Sequence, residues 1–319
     1  MFNFTFKKNM KQSTSNLFLI RPYKFFGNPE TSINNYFQED GLGNNNYSIN
    51  QKALVEFDNF FNVLKNNNIN VFLFNDTPYP ITPDSIFPNN WISTYQDGKI
   101  FIHSMFAKNR RLERRSDIIA FLKENFSFSQ IFNDAEFNEK NNNFLEGTGS
   151  MVLDRVNQIV YAALSERTCQ DLLNEFCKKI NFQPIVFSAY LNYNHRKVIY
   201  HTNVMMSICE NFAIVCLESI ASKNEQNKII DSLDKTKKKI ITISLDQVNN
   251  FCGNVLEVKN NKDENILIMS SRAFNCFSKN QKKIINSFCK IVHSPLDTIE
   301  KYGGGGARCM LAEIFLNKM

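Results

Sequence analysis

Apolar positions along this chain change their period again and again. Ala53, Leu54, Phe57, Phe60, Phe61 and Leu64 recur at three- and four-residue spacing, which predicts a helix over 48–64. On either side, 17–20 and 70–74 are short continuous apolar runs of the kind that form buried strands. The alternation continues with strands at 86–94 and 99–103, a helix over 111–125, a hairpin of 145–154 with 159–163, and a helix over 166–179. Further strands are predicted at 183–188, 198–207, 211–216, 239–244, 254–258, 265–270 and 290–292, with helices over 218–233 and 278–287 and a last helix over 310–317. Pairs or triplets of strands thus alternate with single helices about five times, and no Pro/Gly/Ser linker divides them. One α/β domain over 1–319 is expected, built by repeating a strand-strand-helix-strand unit around an axis.

The tail interrupts this regular texture. Gly303 to Gly306 leave the backbone free to approach a ligand closely, and Cys309 follows them at the start of the expected last helix. Unpaired amides and the helix dipole at such a position favour thiolate over thiol, so Cys309 is a candidate nucleophile. The alternative is a glycine linker ahead of a terminal helix that carries a buried cysteine.

Composition excludes more than it identifies. The 319 residues are 43% hydrophobic, enough for a substantial core, and the net charge of +6 is dispersed apart from Lys235 to Lys239. Nucleic-acid binding is therefore not expected. No apolar run is long enough to span a bilayer and no signal peptide is evident, so a cytoplasmic protein is expected. The eight cysteines form no C-x-x-C pair and no metal-ligand spacing, which fits reduced thiols and neither a disulfide framework nor a metal site. Clustered asparagines, with many Lys and Phe, read as the codon bias of an AT-rich genome.

A nucleophilic cysteine needs a proton carrier and a group to orient it. Of the four histidines, His201 ends a strand-like run and is the best placed; His103 is also plausible, while His195 and His293 lie in polar loops. Glu146 follows two apolar residues and precedes a flexible turn, where a carboxylate seldom enters unpaired. Asn89 and Asn90 adjoin the only Trp, and amides among buried aromatics must hydrogen-bond to something. Each of these has a structural alternative: a core histidine, an ordinary turn acid, a strand-edge network.

Taken together and in order, the segments Phe87-Pro88-Asn89-Asn90, Glu146-Gly147-Thr148-Gly149, His201-Thr202-Asn203 and Gly306-Ala307-Arg308-Cys309 resemble the motifs of the guanidino-group modifying enzymes. That superfamily, the penteins, holds arginine deiminases, agmatine deiminases, dimethylarginine hydrolases and amidinotransferases. The likeness is closest to its amidinotransferase-like branch of citrulline-utilisation hydrolases, from Arg21-Pro22 and Asn28-Pro29-Glu30-Thr31 through Ser165-Glu166-Arg167-Thr168 to the tail. What the resemblance implies is a five-bladed pseudo-symmetric α/β propeller with a central site. It also implies a catalytic set of Cys309, His201 and Glu146. Arg167, in the Ser-Glu-Arg-Thr segment, and Arg111 correspond to contacts for a substrate α-carboxylate, which points to an amino-acid substrate.

Two positions depart from the deiminase pattern. Where those enzymes hold a guanidinium with two aspartates, this chain has Asn90 and Asn203. A carboxylate only accepts hydrogen bonds, whereas an asparagine donates and accepts, which suits a neutral ureido group. The expectation is a cysteine hydrolase converting L-citrulline to ornithine, ammonia and carbon dioxide. Its substrate would be held by Asn90, Asn203, Arg167 and Arg111, with no metal or organic cofactor; self-association is left open. An arginine deiminase or amidinotransferase would need another acid, such as Asp84 or Asp154. A silent amino-acid binder is a third reading.

Overall fold

The computed structural model describes residues 10–39, 45–192 and 197–319, so His195 lies outside the described residues. Strand Asn16–Arg21 is a continuous apolar run because it is covered on both faces; Leu17, Phe18, Leu19 and Ile20 are all buried. Helix Asn46–Asn66 starts where the Asn45 side chain accepts from the Tyr47 amide, and it buries Ile49, Ala53, Phe57, Phe60 and Leu64 along one stripe. It returns the chain to strand Asn70–Asn75, which pairs parallel to Asn16–Arg21.

That arrangement recurs. There are five three-stranded sheets among the described residues, and in each the central strand has one antiparallel and one parallel neighbour. The central strands are Asn16–Arg21, Lys99–Ile102, Ile159–Ala163, Phe212–Val215 and Asn265–Ser270. Their parallel partners follow after helical crossovers, as a parallel connection requires. The antiparallel partners are Ala312–Ile314, Ile92–Thr94, Val152–Asp154, Met206–Ile208 and Leu256–Lys259. Four of these precede their central strand in sequence. The first sheet instead takes its antiparallel strand from the other end of the chain, with Asn16 opposite Ile314.

The last helix expected from the sequence is therefore replaced by a strand. Ala312 and Ile314 are buried and Glu313 nearly so, and backbone pairing to Asn16–Phe18 overrides a local helix preference. Two long strand predictions are also divided: 86–94 contains the single turn Pro88–Asn90, and 198–207 the turn Thr202–Val204. The hairpin expected at 145–154 begins with a short helix, Gly147–Ser150. No helix of the described residues is long and apolar enough to cross a membrane.

Because Ile314 is fully buried where the two ends of the chain meet, Ile314→Ala should cost about 2–5 kcal/mol, read as a lower urea midpoint. Lys318→Ala, at an exposed position, should stay within about 0.5 kcal/mol of the native protein. Equal small effects would mean that the terminal strand does not complete the sheet.

Candidate active site

The five antiparallel edge strands share a second feature. Each is entered by one tight turn: Pro88–Asn90, Gly147–Ser150, Thr202–Val204, the turn at 251–253, and the turn at 307–310. Backbone bonds close them, from Trp91 to the Pro88 carbonyl at 3.3 Å, from Met205 to Thr202 at 3.1 Å and from Leu311 to Arg308 at 3.3 Å. The polar motifs singled out in the sequence stand in or beside these turns, so a repeated piece of backbone brings them together. Gly149 allows one of these close approaches. A Cβ there would lie 2.7 Å from His201 Nδ1 and closer still to Asn90 Nδ2.

Cys309, His201, Asn90 and Arg167 line one small cavity with Asp84 and Arg110. Cys309 is not at a helix terminus, and the thiolate-favouring dipole expected from the sequence is absent. Burial pushes its thiol up, against the opposing effects of the Asn254 amide, the Arg308 charge and the Asn203 amide. The Asn203 side chain reaches the sulfur at 3.6 Å through Nδ2.

His201 Nε2 lies 2.7 Å from Glu146 Oε2. Burial works to raise the Glu146 carboxyl, but Arg167, the His201 hydrogen bond and Arg110 outweigh it and hold the group at about 2. An ionised carboxylate can only accept, so Nε2 carries the proton and Nδ1 is left with its lone pair. Burial also lowers His201 to about 4 despite the neighbouring carboxylate, so the ring is neutral. Glu146 is fully buried behind His201, and its second oxygen accepts from the Phe106 amide at 2.9 Å.

The arginines divide differently from the sequence reading. Arg111 does not line the cavity: its guanidinium donates to the carbonyls of Met105 and Phe106 at 3.0 and 3.2 Å. Arg110 points inward instead. In the tight 3₁₀ turn Asn109–Glu113 it shares a face with Glu113, and the two pair at 2.9 Å on each prong. A third nitrogen, Nη1, donates to Asn90 Oδ1 at 2.8 Å. Guanidinium has no acceptor, so this bond fixes which end of the Asn90 amide is which. Its Nδ2 is buried without a partner.

Arg167 is buried over the Tyr200 ring and 3.6 Å from Glu146. It donates to the Asn34 side chain and, at 3.1 Å, to the Thr31 carbonyl. Of the two further acids considered, Asp84 lines the cavity, with Oδ1 buried and unpartnered and Oδ2 accepting from Asn28 at 2.8 Å. Asp154 is on an edge strand bonded to Asn157, away from it. His103 bonds Ser93 at 2.7 Å in a separate aromatic cluster. Sequence reasoning missed Arg110, whose neighbour Arg111 has the same chemistry, and it missed Asn254. The repeat could have exposed Asn254, since it stands two residues before Leu256–Lys259 as Asn90 stands two before Ile92–Thr94. Among the described residues no group of three or more His, Cys, Asp or Glu is gathered as metal ligands would be.

The same architecture is found in solved proteins. The N-terminal domain of ArgZ, an arginine dihydrolase from the ornithine-ammonia cycle in cyanobacteria solved bound to substrate, superposes with a TM-score of 0.71 at 17% identity, covering 94% of this chain and 99% of that one. AgrE bound to L-arginine superposes equally well, also at 17% identity over 94% of this chain, but the match spans only 40% of the AgrE chain. The Pseudomonas aeruginosa dimethylarginine dimethylhydrolase complexed with citrulline gives a TM-score of 0.62 at 15% identity, covering 95% and 99% of the two chains. No curated protein sequence matches the chain. The sequence profile described as N,N dimethylarginine dimethylhydrolase, eukaryotic, matches residues 21–316, nearly the whole length. The chain therefore belongs to the dimethylarginine dimethylhydrolase family, within the superfamily of enzymes that act on C–N bonds of guanidino compounds.

Proposed function

We propose that this chain, as one catalytic domain of five sheets set like propeller blades around the site, hydrolyses the terminal ureido group of L-citrulline. The observation that carries the reading is the orientation of Asn90. Arg110 occupies its oxygen, so the amide offers the cavity a donor. A ureido oxygen accepts that bond. Guanidinium, which is all donor, would face an N–H with an N–H, and would lack a charge-assisted bond worth about 1.5–3 kcal/mol. Asp84 does not decide between the two, because the α-ammonium of either amino acid suits it. Dimethylarginine dimethylhydrolase complexed with citrulline is a precedent for this ligand in such a fold.

In this scheme the Cys309 thiol gives its proton to His201 Nδ1 as sulfur attacks the ureido carbon. The carbon–nitrogen bond to the side chain breaks, and His201 returns the proton to the departing amine of ornithine. Water, activated by the same Nδ1, then attacks the S-carbamoyl group. The sulfur–carbon bond breaks, and the carbamate formed falls to ammonia and carbon dioxide. Glu146 keeps His201 in the tautomer that both steps need. Asn203 steadies the sulfur, and Arg167 with Arg110 supplies positive charge for the α-carboxylate. The cavity volume of about 10 Å³ is no larger than one water needs, so binding an amino acid requires its walls to move apart.

A guanidino reading remains the competitor, because ArgZ is an arginine dihydrolase and AgrE was solved with L-arginine. Incubation with L-citrulline should yield ornithine, and Cys309→Ala should abolish it while leaving the urea midpoint unchanged. Products from L-arginine alone would overturn the ureido reading in favour of the guanidino one. Asn90→Asp should shift the ratio of arginine to citrulline kcat/KM upward by about 10- to 100-fold; an unchanged ratio contradicts the argument from Asn90.

The protonation states have a separate signature in stability. His201 binds its proton less tightly folded, at about 4, than unfolded, at 6.5. Its contribution is therefore present above pH 6.5 and is lost as pH falls toward 4; that of Glu146 is present above 4.5 and lost toward 2. His201→Asn should flatten the fall in urea midpoint between pH 6.5 and about 4. A slope equal to the native one would mean that His201 is not held neutral.

A further inference from the structure

Asn254 touches the nucleophile more closely than any group implied by the sequence motifs. Its Nδ2 donates to Cys309 Sγ at 3.2 Å and to the Asn203 carbonyl at 3.1 Å, while Oδ1 accepts from the Arg308 amide at 3.1 Å. A backbone amide can only donate, so the orientation of this side chain is settled: its N–H end faces sulfur. The side chain is fully buried and held against the preceding turn. A Cβ on neighbouring Gly253 would come within 2.7 Å of the Met205 carbonyl carbon, so this close seat needs a glycine.

The Arg308 charge also favours anionic sulfur, but it makes no hydrogen bond to it. Arg308, adjacent to Cys309, turns its guanidinium to the Leu311 carbonyl at 3.0 Å and to Glu313 at 2.8 Å. A substrate cation could steady a thiolate, but a ureido group carries no charge. Sulfur that becomes anionic as it attacks therefore depends on amide N–H groups already in place, which need no reorganisation at the moment of reaction.

We propose that Asn254 is a further catalytic residue, donating through Nδ2 to Cys309 Sγ and holding the sulfur anion in position for attack. The need for it rests on the ureido reading above, but the contact with sulfur does not. No atom of Asn254 is transferred: the thiol proton goes to His201, and Asn254 keeps both of its own.

The test reads the sulfur without any substrate. Native protein, Asn254→Ala and Asn254→Asp are alkylated with iodoacetamide from pH 6 to 10, and modification of Cys309 is followed by peptide mass, with Cys309→Ala as the blank. Loss of a hydrogen bond to an ion, about 1.5–3 kcal/mol, corresponds to a rise of about one to two pH units in the alkylation midpoint. At pH 7.5 the rate should therefore drop roughly 10- to 100-fold in Asn254→Ala. Asn254→Asp keeps the acceptor for Arg308 but turns a carboxylate oxygen toward sulfur, so it should shift at least as far, and it serves if the alanine variant does not fold. Profiles that superimpose on the native one would overturn the proposal; if native Cys309 is too enclosed to be alkylated, its ultraviolet thiolate absorbance, taken as the difference from Cys309→Ala, is titrated in the same three proteins and read in the same way. Absence of citrulline turnover in the native protein would instead strike the ureido reading, leaving the alkylation result to stand by itself.

Discussion

The site exists because backbone meets backbone at the entrances to five strands. A tight turn enters each edge strand, and the turns press together where glycine removes the side chain that would hold them apart. Gly149 brings the turn after Glu146 against His201 and Asn90, while Gly253 seats a second turn on Val204 and Met205. Thr202 reinforces the contact: its hydroxyl donates to the Ser150 carbonyl at 2.6 Å and accepts from the Ala163 amide at 2.8 Å. Close packing of this kind leaves no freedom in where Asn90, Glu146, His201 and Asn203 stand. The geometry of the candidate site is thus a by-product of how the repeated units are joined, and each helix crossover serves to return the chain to another such turn.

Charge then decides what those side chains can do. Arg110 and Arg167 are both buried, which is costly unless their donors are used. Arg110 spends two on Glu113 and one on Asn90; Arg167 lies against Glu146, Asn34 and Tyr200. Two consequences follow from these contacts. Glu146 stays ionised deep inside the protein, which fixes the tautomer of His201, and the Asn90 amide cannot turn over. Arg167 also ties the site to the segment around Thr31 and Asn34, so the charge that holds Glu146 ionised is anchored to that part of the cavity lining.

Much of this was legible in the sequence, for reasons that also explain the failures. Helix 48–64 carried a strong apolar period, and the structure extends it only to Asn46–Asn66. The alternation of strands and helices exposed the repeat because crossover helices leave long, regular signals. The single turns were missed inside runs such as 86–94 and 198–207, because Pro88–Asn90 and Thr202–Val204 are only three residues long and stand buried between apolar neighbours. The tail failed differently. Met310 to Phe315 has fair helix propensity, but its partner, Asn16–Phe18, lies at the other end of the sequence, and no local rule reports it. Cys309 was singled out by its setting after four glycines, yet the helix dipole expected to favour its thiolate is absent.

Replacing that dipole with amides changes the chemical argument. A helix terminus or a cationic substrate would stabilise a thiolate before any substrate bond forms, whereas burial here keeps the resting sulfur protonated. In the proposed reaction anionic sulfur would appear only as a proton leaves for His201, whose Nδ1 is left free by the Nε2 contact with Glu146. Three asparagines would meet that changing charge: Asn203 and Asn254 at the sulfur, and Asn90 where a substrate oxygen would gain charge. Each has an N–H within reach of a centre that would become more negative during the proposed attack, so each bond would strengthen along that reaction. Carboxylates at these positions would favour a cation in the ground state. Amides instead favour a neutral substrate passing through an anionic one, which is the demand made by a ureido carbon.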